Sequence, residues 1–547
     1  MITMDFKDPQ RIETDVLVIG GGSAGMRAAI EAKRHGLDVV LVSESKVGFK
    51  NNSAISKAIF AATGIWKGSG DSPERHVKDT VDSGRLINDK NLVGTMAKGA
   101  QQQVYDLGEF GAKYQEQDGE PLIAPVPGHK YPRHILFESR RGTCFTVPMR
   151  KYASSVGVRF KEGVLVTKLL RHGNRIVGAL GIDKEGQCLV FHAKATILAS
   201  GGAGGIYLRT NNAIGISGDG YALAYEAGAV LGGMEFVQFY PTSECSIGRK
   251  MVMYEPLVRR GLTLRNALGE EVLKKYGMSE QTKITRDVLA RAIMIEINEG
   301  RGIDGCLLMG TEEKPKASEN SSIERSKSSK ESPKEQKVAP TTHFFMGGVK
   351  INEKSETGIE GLYAAGEVCC GVHGANRLAG NAITETFVFG TIAGNQAASE
   401  AKRENRINVP ESEISSEIKR LRELASFQGE GSLEELEVKL RRTMWEKVGI
   451  LRDREGLETA LEEILTLREQ TRTIPASGAK ELIRAVKMAN MLTVSEMVCR
   501  AALERAETRG AHYRADFPEE NNEHWLKSIE IVKQNGEMCL KPVPVEA

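Results

Sequence analysis

The chain has 547 residues, 40% of them hydrophobic, and its 74 basic and 72 acidic side chains nearly cancel to a formal charge of +2. That length exceeds a single hydrophobic core, so two or three domains are expected. The scattered, balanced charge excludes a basic nucleic-acid-binding face and a polybasic membrane patch.

The amino-terminal MITMDFKDPQRIE is charged and has no apolar centre, so neither a secretory signal nor an anchor is read there. The stretch nearest to a membrane span, Leu378 to Ser399, is full of Gly, Asn and Thr and carries Glu385. Eight scattered cysteines include one adjacent pair, Cys369 and Cys370, but no CxxC. A reducing cytoplasm is therefore the expected compartment, and an iron–sulfur cluster or structural zinc, which takes paired thiolates, is not expected within the chain.

Val16 to Gly25, VLVIGGGSAG, reads as a buried parallel strand followed by a glycine turn that brings a helix N-terminus against a pyrophosphate. Gly20, Gly22 and Gly25 fit GxGxxG, with Ser23 and Ala24 inside the turn. The helix that follows, to Arg34, carries the small residues Ala28, Ala29 and Ala32, and a second apolar strand, Asp38 to Ser43, ends at Glu44. That acid falls about twenty residues beyond the last glycine, where a ribose hydroxyl needs an acceptor. Strand, turn, helix and acid together indicate a dinucleotide, NAD or FAD.

A Gly-, Ser- and Ala-rich passage, Val47 to Gly70, precedes helical periodicity from Pro73 to about Gly111. Strands are expected at Gly163–Leu170, Arg175–Ile182, Cys188–His192 and Lys194–Ser200. The last of these runs into a second glycine turn that starts with Gly201 and Gly202. Asp219, in SGDG, stands at a helix start, where its carboxylate caps the helix or reaches a ligand. From Glu235 to Gly310 the composition shifts to mixed strands and short helices, as in an inserted domain. Thr311 to Lys337 is almost entirely Glu, Lys, Ser, Pro, Asn and Gln, too polar to bury, and is expected to be a mobile surface loop. Folding resumes at Val338. GLYAAGEV reads as a strand ending at Gly366 and Glu367, and HGANRLAGNAITETFVFGTIAG starts a helix. After Asn405 the sequence is charged and helically periodic to about Arg509.

In order along the chain, GGGSAG, SGDG, FVQFYPT, TRDVLARAI, PTTHFFMGGV, AAGEV, HGANRLAGNAITE and RGAHYRADFP resemble the flavoprotein subunits of succinate dehydrogenase and fumarate reductase. That family also includes L-aspartate oxidase and adenylylsulfate reductase. The resemblance implies an α/β fold in which a Rossmann-like FAD-binding domain is interrupted by a capping domain and followed by an α-helical domain. The expected division is 1–235 and 345–405 for the FAD-binding domain, 236–344 for the capping domain with a disordered insertion at 311–337, 406–515 for the helical domain and 516–547 for a tail.

Carried over position by position, the resemblance implies FAD contacts at Gly20, Gly22, Ser23, Ala24, Gly25, Glu44, Ser53, Gly201, Gly202, Asp219, Glu367, Arg377, Asn381, Ala382 and Ile383. It implies that a dicarboxylate lies against the flavin, with Arg286 giving or taking the proton, Thr285 as a helix cap and Asp287 orienting the guanidinium. His343 and Arg377 match the family's carboxylate-binding pair; a guanidinium offers two parallel donors to one carboxylate and an imidazole a further one. Since a guanidinium holds its proton tightly, this chemistry needs a closed site and a relay to refill it. Glu255 matches the acid of that relay. Its basic partner should stand at Val258, so Arg259 is the nearest substitute.

Two departures bear on function. Tyr240-Pro241-Thr242 stands where these enzymes usually have His-Pro-Thr, so one carboxylate-binding histidine has become a phenol. KNNSAISKAIF places Asn52 where membrane-bound relatives have the histidine that attaches the flavin, so FAD is expected to be noncovalent. The lost bond is expected to lower the flavin potential and favour reduction of an acceptor.

The expected function is interconversion of fumarate and succinate, or of a closely related unsaturated and saturated acid, by hydride transfer at flavin N5. The chain would be the catalytic subunit of a complex with an iron–sulfur partner, cytoplasmic or peripheral to a membrane through that partner, with no nucleic acid and no span of its own. The rival enzyme is an L-aspartate oxidase, against which stand the missing His-Pro-Thr and Met346-Gly347-Gly348 in place of Cys-Gly-Gly. The rival from another class is a flavin electron-transfer subunit with an idle pocket; a substrate-induced change in the flavin spectrum separates the two.

Overall fold

Val16–Ile19 (β1) is buried at every position, which a strand in a parallel sheet covered on both faces must be. It lies between Val39–Ser43 (β2) and, on its other side, Ala195–Leu198 (β4). Arg159–Glu162 (β3) continues the sheet beyond β2 and Leu362–Ala364 (β5) beyond β4, all in parallel register. The computed structural model describes residues 8–65, 69–117, 119–126, 128–246, 248, 250–252, 257, 262–278, 284–310, 335–405, 408–427 and 429–545. The chain forms two compact units, one of Met1–Leu208, Asn212–Gln238 and Phe344–Ala547, the other of Arg209–Asn211 and Phe239–His343.

In the first unit, Ser23–Arg34 (α1) packs against Asn381–Arg403 (α2) at unusually close range. A Cβ on Gly390 would stand 2.8 Å from the Ala24 carbonyl oxygen, and one on Gly394 2.5 Å from that of Ala28. The small residues of FVFGTIAG are thus what lets two helices meet backbone to side chain. Gln10–Glu13, Cys188–His192, Arg175–Asp183 and Val164–His172 form a second, mixed sheet in that order.

The carboxyl-terminal helices are Glu411–Ser426, Leu433–Lys447, Arg454–Thr471 and Ala479–Glu504 (α3). Ser432 and Asp453 cap the second and third through bonds from the Glu435 and Gly456 amides. The end of the chain is more than a tail: Lys527–Gln534 and Glu537–Pro544 pair as a hairpin, joined to a sheet with Leu231–Gly232 and Gly348–Val349. The Ile529 and Ile531 side chains, both buried, explain why it docks.

In the second unit, strands containing 239–244, 335–343, 307–310 and 263–265 form one sheet in that order. The helix Arg286–Glu296 packs Leu289 and Ile293 into a core with Tyr240, Leu264, Leu307 and Val338. Two expectations change here. Cys245 and Cys306 are joined in a disulfide, a pairing across 61 residues that departs from a chain of reduced thiols, while the other six cysteines are free. Glu335 to Lys337, expected in the loop, already belong to a strand that runs to Phe345, and the rest of that expected loop, 311–334, lies outside the described residues. Among the described residues no helix is long and apolar enough to cross a membrane, and no cluster of His, Cys, Asp and Glu could hold a metal.

Candidate active site

The first glycine turn is tight for two different reasons. A Cβ on Gly25 would stand 1.9 Å from the Gly20 carbonyl oxygen, and one on Gly20, whose φ is +126°, 2.1 Å from that of Ala199. These two glycines are required by the protein's own backbone. Gly22 is different, because its nearest neighbour would be Ser53 Oγ at 3.5 Å, an ordinary contact, so this side of the turn is open. Gly22 makes no side-chain cap on α1; instead the Ser23 amide donates to Ser53 Oγ at 3.1 Å, and the two hydroxyls lie 2.7 Å apart. Gly201, at φ +81°, is likewise open, whereas a Cβ on Gly202 would strike Glu367 Oε1 at 2.3 Å.

Glu44 follows β2 and receives the Lys487 ammonium at 2.6 Å. Asp219 is the first residue of its helix and makes no capping bond, which corrects the capping alternative; Gly218 holds the cap position. Its carboxylate accepts from Ser217 Oγ and from Asn490 Nδ2, both at 2.8 Å, and lies 3.8 Å from Lys487. Lys487 and Asn490 are three residues apart on α3, hence on one face. Burial would push the Lys487 ammonium down, but Asp219 and Glu44 outweigh it and raise it.

Glu367 is buried and carries its carboxyl between neutral donors: the Phe345 amide reaches Oε1 at 3.2 Å and Asn52 Nδ2 reaches Oε2 at 3.2 Å. Loss of water pushes its pKa up to about 7; the two donors and Arg377 pull the other way without balancing it. Asn52 also donates to Asn212 Oδ1 at 2.9 Å and accepts from the Ala213 amide at 2.9 Å.

Arg377, buried, places its guanidinium 4.6 Å over the Phe344 ring. The turn after it is braced by three imidazoles, of which His76 and His134 are buried and His129 is half-buried. His129 and His134 both donate to the Ala379 carbonyl, at 2.7 and 3.0 Å, and His76 donates to Asn381 Oδ1 at 2.8 Å. Burial lowers the His76 and His134 pKa to about 4, which keeps them neutral. The Asn381 side chain is also bonded to Thr80, at 2.9 Å, so its side chain is committed to the protein, and only its backbone, with Ala382 and Ile383, starts α2 toward a ligand.

In the second unit, Tyr240, Arg286 and His343 come together. The Arg286 guanidinium lies 5.5 Å over the Tyr240 ring, and that ring is 5.5 Å from the His343 ring. His343 Nδ1 is bonded to Asn211 Oδ1 at 3.1 Å. Thr285 holds the cap position before Arg286, but its hydroxyl makes no capping bond. Glu255 and Arg259 lie outside the described residues.

Lys487, Asn490, Asn211 and the three histidines are absent from the sequence reading. A Lys and an Asn inside a helix buried on most of its faces were the available signal for the first two. His129 and His134 stand five residues apart but more than fifty residues from His76, and none of them carries a motif.

A helix N-terminus beside an open glycine, a second open glycine turn and an acid closing β2 fit a flavin dinucleotide. Residues 15–383 match the family described as FAD binding domain, and residues 437–547 the one described as fumarate reductase flavoprotein C-term. The class is therefore that of FAD-dependent oxidoreductases. The chain is similar to one of the subunits of the fumarate reductase (CoM/CoB) of Methanothermobacter marburgensis, 38% identical over 94% of this chain and 96% of that one. It is similar also to the fumarate reductase flavoprotein subunit of Mycobacterium tuberculosis, 31% identical over 97% of each. Among solved structures it is similar to Mycobacterium smegmatis Sdh1, with a TM-score of 0.87, 29% identity and coverage of 98% and 95%. The chain belongs to the family of fumarate reductase and succinate dehydrogenase flavoprotein subunits.

Proposed function

We propose that the protein interconverts fumarate and succinate, or a closely related unsaturated and saturated acid, as the catalytic flavoprotein subunit of a complex with an iron–sulfur partner. The observation that carries this reading is the grouping of Tyr240, Arg286 and His343 in the second unit. FAD, when bound, supplies the N5 position that exchanges a hydride with the substrate. Arg286 holds the proton for the other substrate carbon, and Tyr240 and His343 offer a hydroxyl and an imidazole donor to a carboxylate. Arg377 offers a bidentate clamp to the other carboxylate. Glu255 and Arg259 are assigned to the relay that reloads Arg286.

The cofactor contacts are assigned to the open faces of Gly22 and Gly201, to Ser23, Ala24, Ser53 and the start of α2, and to the carboxylates of Glu44, Asp219 and Glu367. FAD is held noncovalently, because an amide stands at the attachment position and its two ends are taken by Asn212, Ala213 and Glu367. The two fumarate reductase relatives are themselves named as subunits, which supports a partner. Attachment to a cytoplasmic membrane face would then come through that partner.

The test is anaerobic reduction of the purified FAD protein, followed by fumarate while flavin absorbance is watched. Rapid reoxidation is expected, slowed at least about a hundredfold by Arg286→Ala. Flavin that fumarate leaves reduced, but that L-aspartate reduces and oxygen reoxidises, would replace this reading with an aspartate oxidase. Flavin indifferent to both acids would point to electron transfer alone.

A further inference from the structure

RGAHYRADFP is the motif that the proposed chemistry leaves without a task. In the structure its start is a buried knot of charge. Arg505 bonds to Glu235 at 2.7 Å and to Glu507 at 2.9 Å, and Arg509 grips both oxygens of Glu507, at 2.6 and 2.9 Å; all four side chains are fully buried. Glu507 Oε2 also accepts from the Asn521 amide at 2.8 Å. Removing so many charges from water is costly, and the benefit such a cluster can return is fixed geometry.

The fixed edge of this knot lies against the backbone that leads into Arg377. The Ala511 amide donates to the Ala375 carbonyl at 2.9 Å. Gly510, at φ +54°, is pressed on the same group, where a Cβ would stand 2.5 Å from the oxygen. Arg509 Nη1 donates to the Arg85 carbonyl at 2.9 Å. That bond holds a turn in which Arg85 and Leu86 are both left-handed, at φ 56° and 65°, a conformation non-glycine residues adopt only under constraint. The strained turn in turn holds the same segment: Gly84 O accepts from the Ala375 amide at 2.8 Å, and Ser83 Oγ donates to Asn376 O at 3.1 Å.

Gln238 Nε2 also donates to the Arg377 carbonyl at 2.9 Å and to Asn376 Oδ1 at 3.0 Å. Phe344, on which the Arg377 guanidinium rests, shares an apolar cluster with Ile87, Ala375 and Ala511. Backbone, carbonyl and stacking surface of Arg377 are thus all set by this frame.

We propose that the Arg505–Ala511 turn and Gln238 are positioning elements for Arg377: they hold its guanidinium at the angle that receives a substrate carboxylate, and act on substrate only through it. The inference rests on the reading of Arg377 as the carboxylate clamp. Misplacing a bidentate donor pair by a fraction of an ångström weakens carboxylate binding without removing the flavin.

Malonate, a dicarboxylate that cannot be reduced, serves as the probe, its binding to the FAD-loaded protein read from the flavin spectrum. Wild type, Gly510→Ala, Gln238→Met and Arg377→Ala are compared, together with each of the first two combined with Arg377→Ala. Gln238→Met keeps the side-chain length and serves if Gly510→Ala does not fold. Both positioning variants are expected to keep their flavin and to raise the malonate Kd about tenfold. In the Arg377→Ala background each should add less than about twofold, because two groups that act through one contact are not additive. Full addition in the double variants, or wild-type malonate binding in FAD-loaded Gly510→Ala and Gln238→Met while Arg377→Ala loses it, overturns the positioning role alone. Malonate binding unchanged by Arg377→Ala overturns the clamp reading and this inference with it.

Discussion

Glu367 lies 8% exposed between an amide N–H and the Asn52 side chain, whereas Glu44, with 39% of its side chain exposed, meets the Lys487 ammonium at 2.6 Å. Both are assigned to FAD, yet only one has a cation in direct contact. Burial without a bonded cation pushes Glu367 up to about 7, so its charge is decided by solution pH in the working range. Glu44 is fixed from outside by a residue that also approaches Asp219, at 3.8 Å. The deep carboxylate can change its proton, while the outer one sits in a direct ion pair.

The largest effect expected from this contrast is on the pH dependence of stability. Glu367 binds its proton more tightly in the folded apoprotein, at about 7, than the 4.5 of an unperturbed glutamate. Between those values the native state carries the extra proton, so stability falls as pH rises through the window, by about 3 kcal/mol in all. Glu367→Gln removes that slope whatever constant offset it adds. Denaturant unfolding of wild-type and variant apoprotein between about pH 4.5 and 8 checks it; parallel pH profiles would mean that Glu367 is ionised throughout, and the contrast with Glu44 would disappear.

Much of the outer end was legible from sequence and much of the deep end was not. Gly20, Gly25 and Glu44 follow one another along the chain, and a strand, turn and helix leave few ways to arrange them. The motif does not tell its glycines apart: Gly20 and Gly25 make room for Ala199 and for the turn itself, whereas Gly22 faces open space. Lys487 comes from a helix 443 residues beyond Glu44, and no local pattern joins such partners. Asn52 was read only for the covalent bond it cannot make, while its three hydrogen bonds depend on Asn212, Ala213 and Glu367 meeting in space. The carboxyl-terminal hairpin, expected as a tail, depends on Leu231-Gly232 and Glu530-Ile531 pairing across about 300 residues of the chain.

A second, smaller effect is expected at Asn52. Asn52→Leu keeps the size but leaves the Ala213 amide without its acceptor and Glu367 Oε2 without its donor. Stranding such groups costs about 2 kcal/mol, and the Glu367 carboxyl should titrate higher still, which moves the fall in stability to higher pH. The variant also separates the two roles of the position: if flavin binding survives while stability drops, Asn52 braces Glu367 and does not itself hold the cofactor.

The smallest effect is expected at Lys487. Lys487→Met leaves the buried methylene stem in place and removes only the ammonium that links Glu44, Asp219 and the Gly215 carbonyl. Glu44 is partly exposed, and such ion pairs contribute about 1 kcal/mol or less, so FAD affinity should fall no more than about fivefold. A salt titration sharpens the reading, because wild-type affinity should decline with ionic strength more than that of the variant. The sign is the informative part. Weaker binding means that Lys487 orients Glu44 Oε2 toward the ribose, whereas tighter binding means that the ammonium competes with the ribose for that oxygen, and α3 then restrains cofactor entry.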